Sequence, residues 1–225
     1  MIRFTGRDDI NDILEAGCAN ITFLNHYSFL IAQKNLDAFS EMDHVMIDGF
    51  MLSFFHTVFL EKIRKASFDM SSLAPVIFDH ALKRKKSICF VGTTKDNINA
   101  FVEEISTVYP DLDVRIFHEG YFSSDNEKFE FQEEIVKINP DIVVVGMGTP
   151  IQERFLTEIK HIGWKGLGFT CGGFFHQTAM RGAEFYPNYI VKFELRWLFR
   201  IFKEKGVLRR YTFDFMVFLP IFIKY

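Results

Sequence analysis

Residues 141–154 read Asp-Ile-Val-Val-Val-Gly-Met-Gly-Thr-Pro-Ile-Gln-Glu-Arg, and this stretch decides the fold class. The β-branched run 142–145 has no polar alternation, which is typical of a strand that is covered on both faces. A tight Gly-x-Gly turn follows the run, and a helix start follows the turn. A buried strand that leads through a glycine turn into a helix predicts an α/β protein with a parallel sheet.

The rest of the chain alternates in the same way between short β-rich runs and longer helical windows. Strands are predicted at 44–47, 87–92, 113–118, 141–146 and 166–170. Helices are predicted at 26–39, 50–65, 72–85, 95–108, 127–138, 150–161 and 188–205. Such sheets bind ligands beyond the carboxyl ends of their strands. The loops of interest are therefore those that follow strands, at 48–49, 92–94, 120–121, 146–150 and 170–173.

The composition excludes several classes of protein. The 225 residues are 48% hydrophobic and 24% charged, which is a globular and not a disordered composition. Three cysteines without a Cys-x-x-Cys pair disfavour a disulfide framework and a zinc ribbon, and they predict a reducing compartment. The longest uncharged apolar stretches, 50–60 and 215–223, are shorter than the roughly 20 residues that cross a bilayer. We expect no membrane span and, because residues 1–8 contain no apolar h-region, no secretory signal.

Positive charge is concentrated near the C-terminus. Residues 192–225 carry a net charge of +5, whereas the whole chain carries −3. Within the predicted helix 188–205, Lys192, Arg196, Arg200 and Lys203 form a basic stripe beside an apolar face. This pattern suggests an anionic partner, such as membrane lipid, nucleic acid or a phosphorylated ligand, although a solvated helix face would look similar. We therefore divide the chain into an α/β domain, 1–187, and an appendage, 188–225.

The glycine turn at 146–148 is not a dinucleotide fingerprint, because Ile151 occupies the place of the third glycine, and it is not a P-loop. The backbone N–H groups from Gly148 onward and the helix N-terminus still suit a diphosphate. Gln152 has two interpretations. It binds a ligand, or it completes a capping box in which Thr149 is the N-cap and Pro150 the first helical residue.

Other polar residues follow predicted strands. Asp48, at the end of a buried strand, is a candidate general base that would deprotonate a substrate hydroxyl, with an N-cap as the alternative. Gly172 and Gly173 would let the backbone approach a ligand closely. The nearby His176 either binds a base, sugar or phosphate, or it is a core residue.

The segment 21–28 contains a polar cluster that opens a helix. Its Asn25 and Ser28 either cap that helix or line a site, and the sequence leaves both interpretations open. The chain has no His, Cys or Asp spacing that is typical of a metal site. We therefore expect neither a metal nor a cofactor.

Together these segments resemble the WecG/TagA/CpsF glycosyltransferase family, from about Thr22 to Tyr211. The resemblance is carried by Asn25, Asp48-Gly49 and the segments 120–122, 140–153, 172–174, 195–200 and 209–211. It implies a Rossmann-like parallel sheet flanked by helices, with a C-terminal basic amphipathic helical appendage that engages the membrane. It also implies inverting, metal-independent transfer of N-acetylmannosamine or a related sugar from a UDP donor to an undecaprenyl-diphosphate-linked sugar. The products of such enzymes enter bacterial surface polymers such as capsule or wall teichoic acid.

The resemblance assigns roles to individual residues. Asp48 matches the family's candidate general base, Gln152 its active-site glutamine and Asn25 the asparagine beside the substrates. The other positions it assigns to substrate binding are Thr22, Gly120, Tyr121, Gly148, Glu153, Gly172, Gly173, His176, Arg200, Arg209 and Arg210. The arginines would offset the charge of a diphosphate.

The sequence departs from the family pattern at three places. Thr22 lies three residues before Asn25, whereas the family has its threonine two residues before. Residues 67–71 replace a segment that often contains arginine, and His176 stands where the family commonly has aspartate. These changes bear on the identity of the donor more than on the class of reaction.

We therefore predict a glycosyltransferase, peripheral at the inner face of the cell membrane, that takes a UDP-sugar donor and a lipid-diphosphate-linked acceptor and can form homo-oligomers. Another nucleotide-sugar enzyme, or a catalytically altered membrane protein of the same fold, is the alternative. Nucleic-acid binding is disfavoured because the basic residues are confined to the tail of an acidic body.

Overall fold

The computed structural model describes residues 2–182, 190, 198–199, 201 and 207–225. Seven strands form one sheet in which every pair of neighbours is parallel, in the order β1-β3-β2-β7-β6-β4-β5. The strands are β1 Phe4–Thr5, β2 Ala19–Leu24, β3 His44–Ile47, β4 Ile88–Gly92, β5 Val114–His118, β6 Ile142–Gly146 and β7 Leu167–Thr170. The predicted α/β, Rossmann-like fold is confirmed.

Helices connect the strands. They are α1 Ile10–Ala16, α2 His26–Gln33, α3 Leu36–Ser40, α4 Phe50–Phe59, α5 Ala74–Arg84, α6 Lys95–Val108, α7 Asp125–Ile138, α8 Ile151–His161, α9 Phe174–Arg181 and the C-terminal helix Val207–Ile223. The window predicted as one helix at 26–39 is two helices, and the window 50–65 ends at Phe59. At the C-terminal end of α4, the ring of His56 contacts the chain that follows, and its Nδ1 lies 2.7 Å from the carbonyl oxygen of Glu61.

The strands predicted at 87–92 and 141–146 each begin one residue later than expected. The first residue of each predicted strand, Ser87 or Asp141, is polar, and the two residues bind each other just before the strands begin. The carboxylate of Asp141 accepts hydrogen bonds from the backbone N–H and the hydroxyl of Ser87, both at 2.9 Å, and from Lys86 Nζ at 2.7 Å. This cluster ties together the starts of the neighbouring strands β4 and β6.

The local sequence patterns did not predict β1, β2, α1 or α9. The strand β2 was missed because it contains polar residues at Asn20 and Thr22 in an otherwise apolar run. Both side chains are buried and bonded, Asn20 Nδ2 to the Leu156 carbonyl oxygen at 3.4 Å and Thr22 Oγ1 to Glu153 at 2.7 Å. Their partners come from α8, more than a hundred residues away in sequence, so the local pattern gives no signal for them.

Two apolar layers cover the two faces of the sheet. Ile142 and Val144 of β6 contact one layer, while Val143 and Val145 contact the other, as predicted for a strand buried on both faces. The first layer contains aromatic side chains of α5, α6 and α9. In it, the ring of Phe101 contacts those of Phe90 and Phe175, with centroids 5.0 and 4.6 Å away.

The C-terminal helix belongs to the second layer and packs on α2. Phe29 contacts Phe218, Phe222 and Tyr225 at centroid distances of 5.7, 5.6 and 5.2 Å. The boundary predicted at 187/188 and most of the predicted helix 188–205, including its basic stripe, lie outside the described residues. In the part of the chain that is described, no helix is both long and apolar enough to cross a membrane.

Candidate active site

The loops that follow β2, β3, β4, β6 and β7 meet at the carboxyl edge of the sheet. The backbone N–H of Asp48 donates to the Leu24 carbonyl oxygen at 2.8 Å, so the ends of β3 and β2 lie side by side. Thr93 N–H donates to the Gly146 carbonyl oxygen at 3.1 Å, which joins the ends of β4 and β6. The parallel topology thus gathers segments that are far apart in sequence, as expected for the site of such a sheet.

A buried polar network lies beneath this edge and is centred on Glu153. Glu153 Oε1 accepts hydrogen bonds from Thr22 Oγ1 at 2.7 Å, from Gln152 Nε2 at 3.0 Å and from Thr149 Oγ1 at 3.3 Å. The hydroxyl of Thr170, at the end of β7, lies 2.9 Å from that of Thr22. The network therefore fixes the ends of β2 and β7 against the start of α8.

Gln152 connects this network to the loop after β7. Its Nε2 donates to Glu153 and, at 3.3 Å, to Thr149 Oγ1, while its Oε1 accepts the backbone N–H of Gly172 at 3.2 Å. The capping-box interpretation of Gln152 is wrong, because the N-cap of α8 is Pro150 and no side chain caps the helix. Gln152 instead holds the loops after β6 and β7 in a fixed relation.

Glu153 is fully buried, and its second carboxylate oxygen, Oε2, has no hydrogen-bond partner. Burial raises the pKa of Glu153, because the charged form is desolvated, and the hydrogen bonds from Gln152 and Thr22 only partly oppose this effect. The carboxyl group therefore holds its proton at higher pH than an exposed glutamate does.

Two glycines of these loops adopt backbone conformations that favour glycine and face open space. Gly148 has φ +80° and Gly172 has φ +54°, and a Cβ at either position would meet no atom within 4 Å. Gly173, the N-cap of α9, is also exposed. No atom therefore crowds Gly148 or Gly172 on the side from which a side chain would project.

Gly120 has a different environment. A Cβ there would lie 2.8 Å from the Gly92 Cα, and its N–H donates to the Thr93 carbonyl oxygen at 2.8 Å. The structure therefore places Gly120 in a close backbone contact between the loops after β4 and β5. Its neighbour Tyr121 is 71% exposed. Substrate binding by either residue stays a prediction.

Asn25 and Asp48 stand at the ends of β2 and β3. The side-chain oxygen of Asn25 accepts the backbone N–H groups of Tyr27 and Ser28, both at 3.0 Å, so Asn25 is the N-cap of α2. The capping interpretation of Asn25 is confirmed, and binding of a substrate remains a further prediction. For Asp48 the N-cap interpretation is wrong, since the N-cap of α4 is Gly49.

Asp48 is half-buried, and Gly49 beside it has φ +78°. A Cβ on Gly49 would lie 3.6 Å from the Asn25 Cβ, so the two loops are in contact. The side chains of the candidate base and of Asn25 therefore start from adjacent backbone positions. The role of Asp48 as base stays a prediction.

His176 is exposed in the first turn of α9, which overturns its interpretation as a core residue. The core positions are the two preceding phenylalanines, Phe174 and Phe175, both buried. His176 Nδ1 lies 3.1 Å from Asn97 Nδ2, in the first turn of α6. Asn97 was missed by the sequence analysis, although its place just after the loop 92–94 could have indicated it.

The described tail arginines lie at the start of the C-terminal helix. The Arg210 guanidinium stands over the ring of Tyr27, 4.6 Å from its centroid, and the Arg210 carbonyl oxygen lies 2.9 Å from Nε2 of the buried His26. Arg209 is exposed beside Phe213. Arg210 thus lies near the first turn of α2, the helix that Asn25 caps. Arg200 lies outside the described residues.

Thr170 and Thr149 are further polar residues of the site that the sequence analysis did not assign to it. Thr149 was interpreted only as a cap, and Thr170 only as the start of a loop. Within the described residues, no three His, Cys, Asp or Glu side chains are grouped as a metal site would require.

A parallel α/β sheet with glycine loops, helix N-termini and a candidate base at one edge is the architecture of enzymes that bind nucleotide-containing substrates. Residues 6–225 match the model of the family described as Glycosyl transferase WecG/TagA/CpsF family. The chain therefore belongs to this family, and it is a glycosyltransferase.

Three relatives have named activities. UDP-Gal:alpha-D-GlcNAc-diphosphoundecaprenol beta-1,4-galactosyltransferase of Shigella boydii is 38% identical over 218 residues, which cover 96% of this chain and 91% of the relative. N-acetylglucosaminyldiphosphoundecaprenol N-acetyl-beta-D-mannosaminyltransferase of Bacillus subtilis is 30% identical over 54% of this chain and 46% of its own length. A protein of the same name from Bacillus spizizenii is 25% identical over 60% of this chain and 51% of its own.

Proposed function

We propose that the protein transfers a hexose from a UDP-sugar to N-acetylglucosamine on undecaprenyl diphosphate, with inversion and without a metal. The observation that carries the proposal is the assembly at the carboxyl edge. There Asp48 and Asn25 start from adjacent backbone positions at the ends of β3 and β2, and Gln152 ties the glycine loop after β6 to the loop after β7.

The names of the relatives support the proposed acceptor. All three names contain N-acetylglucosamine on diphosphoundecaprenol, although the sugars that they transfer differ. A shared acceptor with different donors agrees with the departures of this sequence, which fall at Thr22, 67–71 and His176. We therefore propose the same acceptor for this chain.

For the donor, we propose UDP-galactose as the first candidate. The galactosyltransferase is the relative that matches nearly the whole chain, whereas the N-acetylmannosaminyltransferases match about half of it. N-acetylmannosamine, the sugar implied by the family resemblance, is the second candidate. His176 is exposed with Asn97 beside it, and we propose that residues at these positions differ between family members that use different donor sugars.

The proposed chemistry needs one base and one set of positive groups. Asp48 accepts the proton of an acceptor hydroxyl, the freed oxygen attacks the anomeric carbon, and the bond from that carbon to the UDP oxygen breaks. The N–H groups near Gly148 and the N-terminus of α8 would stabilise the leaving diphosphate, together with Arg200, Arg209 and Arg210. Attack from the face opposite UDP turns the α-linked donor sugar into a β-linked product, the linkage named for the relatives.

The proposal includes the cellular setting. A lipid-linked acceptor is held at the membrane, so we propose that the protein works as a peripheral enzyme at the inner face of the cell membrane. The tail, with its net charge of +5 over 192–225, would contact anionic lipid. The product would enter a surface polysaccharide such as capsule.

The test is release of UDP from a panel that includes UDP-galactose and UDP-N-acetylmannosamine, with EDTA present. Each donor is incubated with and without N-acetylglucosamine diphosphate on a short lipid that is soluble in water. We expect acceptor-dependent release from one donor and no loss of rate with EDTA. No acceptor-dependent release from any donor would overturn the proposed acceptor, and a rate that EDTA abolishes would overturn the metal-independent mechanism.

A further inference from the structure

The outer side of α4 is apolar. Phe50, Phe54 and Val58 follow one another at four-residue spacing, and Phe54 and Val58 are 49% and 58% exposed. They project from the side of the helix opposite the buried Leu52 and His56. An amphipathic helix on a protein surface normally has polar residues there. Residues 50–60 contain no Asp, Glu, Lys or Arg.

The C-terminal helix repeats this arrangement. Phe218 and Phe222 are buried against α2, whereas Phe213, Met216 and Val217 point away from it, with 60% and 75% exposure at Phe213 and Met216. The helix is therefore apolar on both its inner and its outer side. An apolar outer side of this kind is typical of a helix that contacts a partner or a membrane as well as its own domain.

The two helices are neighbours. The ring of Phe55 in α4 lies 5.6 Å from Phe215 and 6.0 Å from Phe218, measured between centroids. Their exposed side chains can therefore form a single surface, which we call the α4–C-terminal face and define as Phe50, Phe54, Val58, Phe213, Met216 and Val217. Single exposed apolar residues are ordinary, but two adjoining helices with apolar outer sides indicate an interaction surface.

The charges around this face favour anionic lipid over a second protein copy. Segment 50–65 contains Lys62, Arg64 and Lys65 against one acid, although Arg64 is paired with Asp8 at 2.7 Å. Segment 207–225 contains Arg209, Arg210 and Lys224 against one acid. The chain as a whole is acidic. An apolar face with basic residues at its ends is the pattern of helices that lie in the headgroup region of anionic membranes.

The face also starts at the candidate active site. Phe50, the first residue of α4, is only two residues from Asp48. At a rise of about 1.5 Å per residue, Phe54 and Val58 lie within about 15 Å of Asp48 along the chain. A helix that rests in the headgroup region would hold Asp48 near the depth of a lipid-linked diphosphate.

We propose that α4 and the C-terminal helix form one lipid-docking face, in which α4 supplies the half next to Asp48. This inference rests on the proposed function, because the lipid-linked acceptor is what places the enzyme at a membrane. It extends the proposed contact of the basic tail to an uncharged helix of the α/β domain. Docking would then hold the enzyme at the membrane and also place Asp48 near the lipid-linked acceptor.

The experiment measures co-sedimentation of the full chain with vesicles of phosphatidylglycerol and phosphatidylcholine. We expect the double variant Phe54→Ser/Val58→Ser to lose about tenfold or more in vesicle partition, because two apolar side chains no longer leave water. The control is Phe129→Ser on α7, a residue of similar exposure outside the face, which should bind as the unaltered chain does. Equal partition of the double variant and the unaltered chain would overturn the proposal.

A second variant keeps the helix apolar. Phe54→Trp should show quenching of its added emission by spin-labelled lipid tails, whereas Phe129→Trp should not.

Light scattering without lipid tests the rival occupant, a second copy of the chain. If the unaltered chain is a dimer and the double variant is a monomer, the face binds a second copy. Turnover with the water-soluble acceptor should be the same in the double variant and the unaltered chain. Absent turnover in both would overturn the proposed function, while the vesicle result would still decide the docking face.

Discussion

At the scale of single residues, Glu153 and Gln152 organise the site without facing open solvent. One oxygen of Glu153 accepts hydrogen bonds from three donors. One of these donors, Gln152, also accepts the N–H of Gly172 and so links Glu153 to the loop after β7. Buried polar networks of this kind fix geometry because each member would lose its partner if another moved. The positions of the glycine loops therefore depend on side chains of β2 and α8.

Glu153→Gln tests whether the buried carboxyl is an acid of raised pKa. Because that pKa is raised by burial, the folded state binds more protons than the unfolded one once the pH exceeds the ordinary value. The free energy of unfolding then falls by about 1.4 kcal/mol per pH unit until the pH passes the pKa of the folded state. Glutamine keeps an acceptor oxygen and does not titrate. The free energy of unfolding of this variant, measured in urea from pH 4 to 8, should therefore lack this decrease with pH.

The control for that experiment is Glu133→Gln, at an exposed position of α7. It should keep the pH dependence of the unaltered chain. A Glu153→Gln variant whose stability follows pH as the unaltered chain does would contradict the raised pKa.

Gln152→Ala tests the bridge between the two loops. Loss of the amide leaves the Gly172 N–H and Glu153 with one partner fewer, which should lower the free energy of unfolding by about 1–3 kcal/mol. It should also weaken UDP binding about tenfold, measured by calorimetry, because the loops lose their common anchor. Gln132→Ala is the matched control, since Gln132 is also a buried amide but binds Glu158 on the flank of α7 and α8. Equal UDP affinity in both variants would contradict the bridge.

At the scale of elements, hydrophobic runs and helix periods were predictable and polar strands were not. The strand 44–47 and the helix 95–108 have the predicted bounds, because each is set by a local apolar pattern. In β2, Thr22 is accommodated by Glu153, and no property of residues 19–24 reveals that partner. Similarly, Thr149, Pro150 and Gln152 have capping spacing, but the side chains of Thr149 and Gln152 bind each other and Glu153, and Gln152 also accepts the distant Gly172 N–H.

Packing of the C-terminal helix on α2 can be tested at Phe218. Phe218 is fully buried and contacts Phe29, Phe55 and Phe222, so Phe218→Ala should cost about 3–5 kcal/mol of the free energy that docks the helix. Hydrogen exchange of the helix amides should then accelerate while β6 stays protected. Phe213→Ala, at a 60% exposed position of the same helix, should leave exchange nearly unchanged. Similar exchange in both variants would contradict the packing on α2.

At the scale of the whole molecule, the strand order creates the site. Alternating strands and helices predicted a parallel sheet with its ligands at the carboxyl edge, and the order β1-β3-β2-β7-β6-β4-β5 brings β2 beside both β3 and β7. That order places Asp48, Asn25 and Thr170 at the ends of neighbouring strands, although they span more than a hundred residues. The sequence could indicate each loop separately, but the pairing of β2 with β7 depends on long-range packing that local patterns do not contain.

The family resemblance added an expectation that the local pattern did not contain. Gln152 alone has the spacing of a cap, and only the resemblance favoured a role in the active site. His176 shows the opposite case, since the aromatic residues around it suggested a core position and the fold exposes it beside Asn97.

The most direct test of the central claim is the turnover of Asp48→Asn with the donor and soluble acceptor that the unaltered chain accepts. Asparagine has nearly the same shape but cannot take the acceptor proton, so kcat should fall by about 10²–10⁴-fold while UDP affinity and melting temperature stay close to those of the unaltered chain. Asp37→Asn, at an exposed position of α3 paired with Arg154, should keep full turnover. Normal turnover of a folded, UDP-binding Asp48→Asn variant would contradict the assignment of Asp48 as the base.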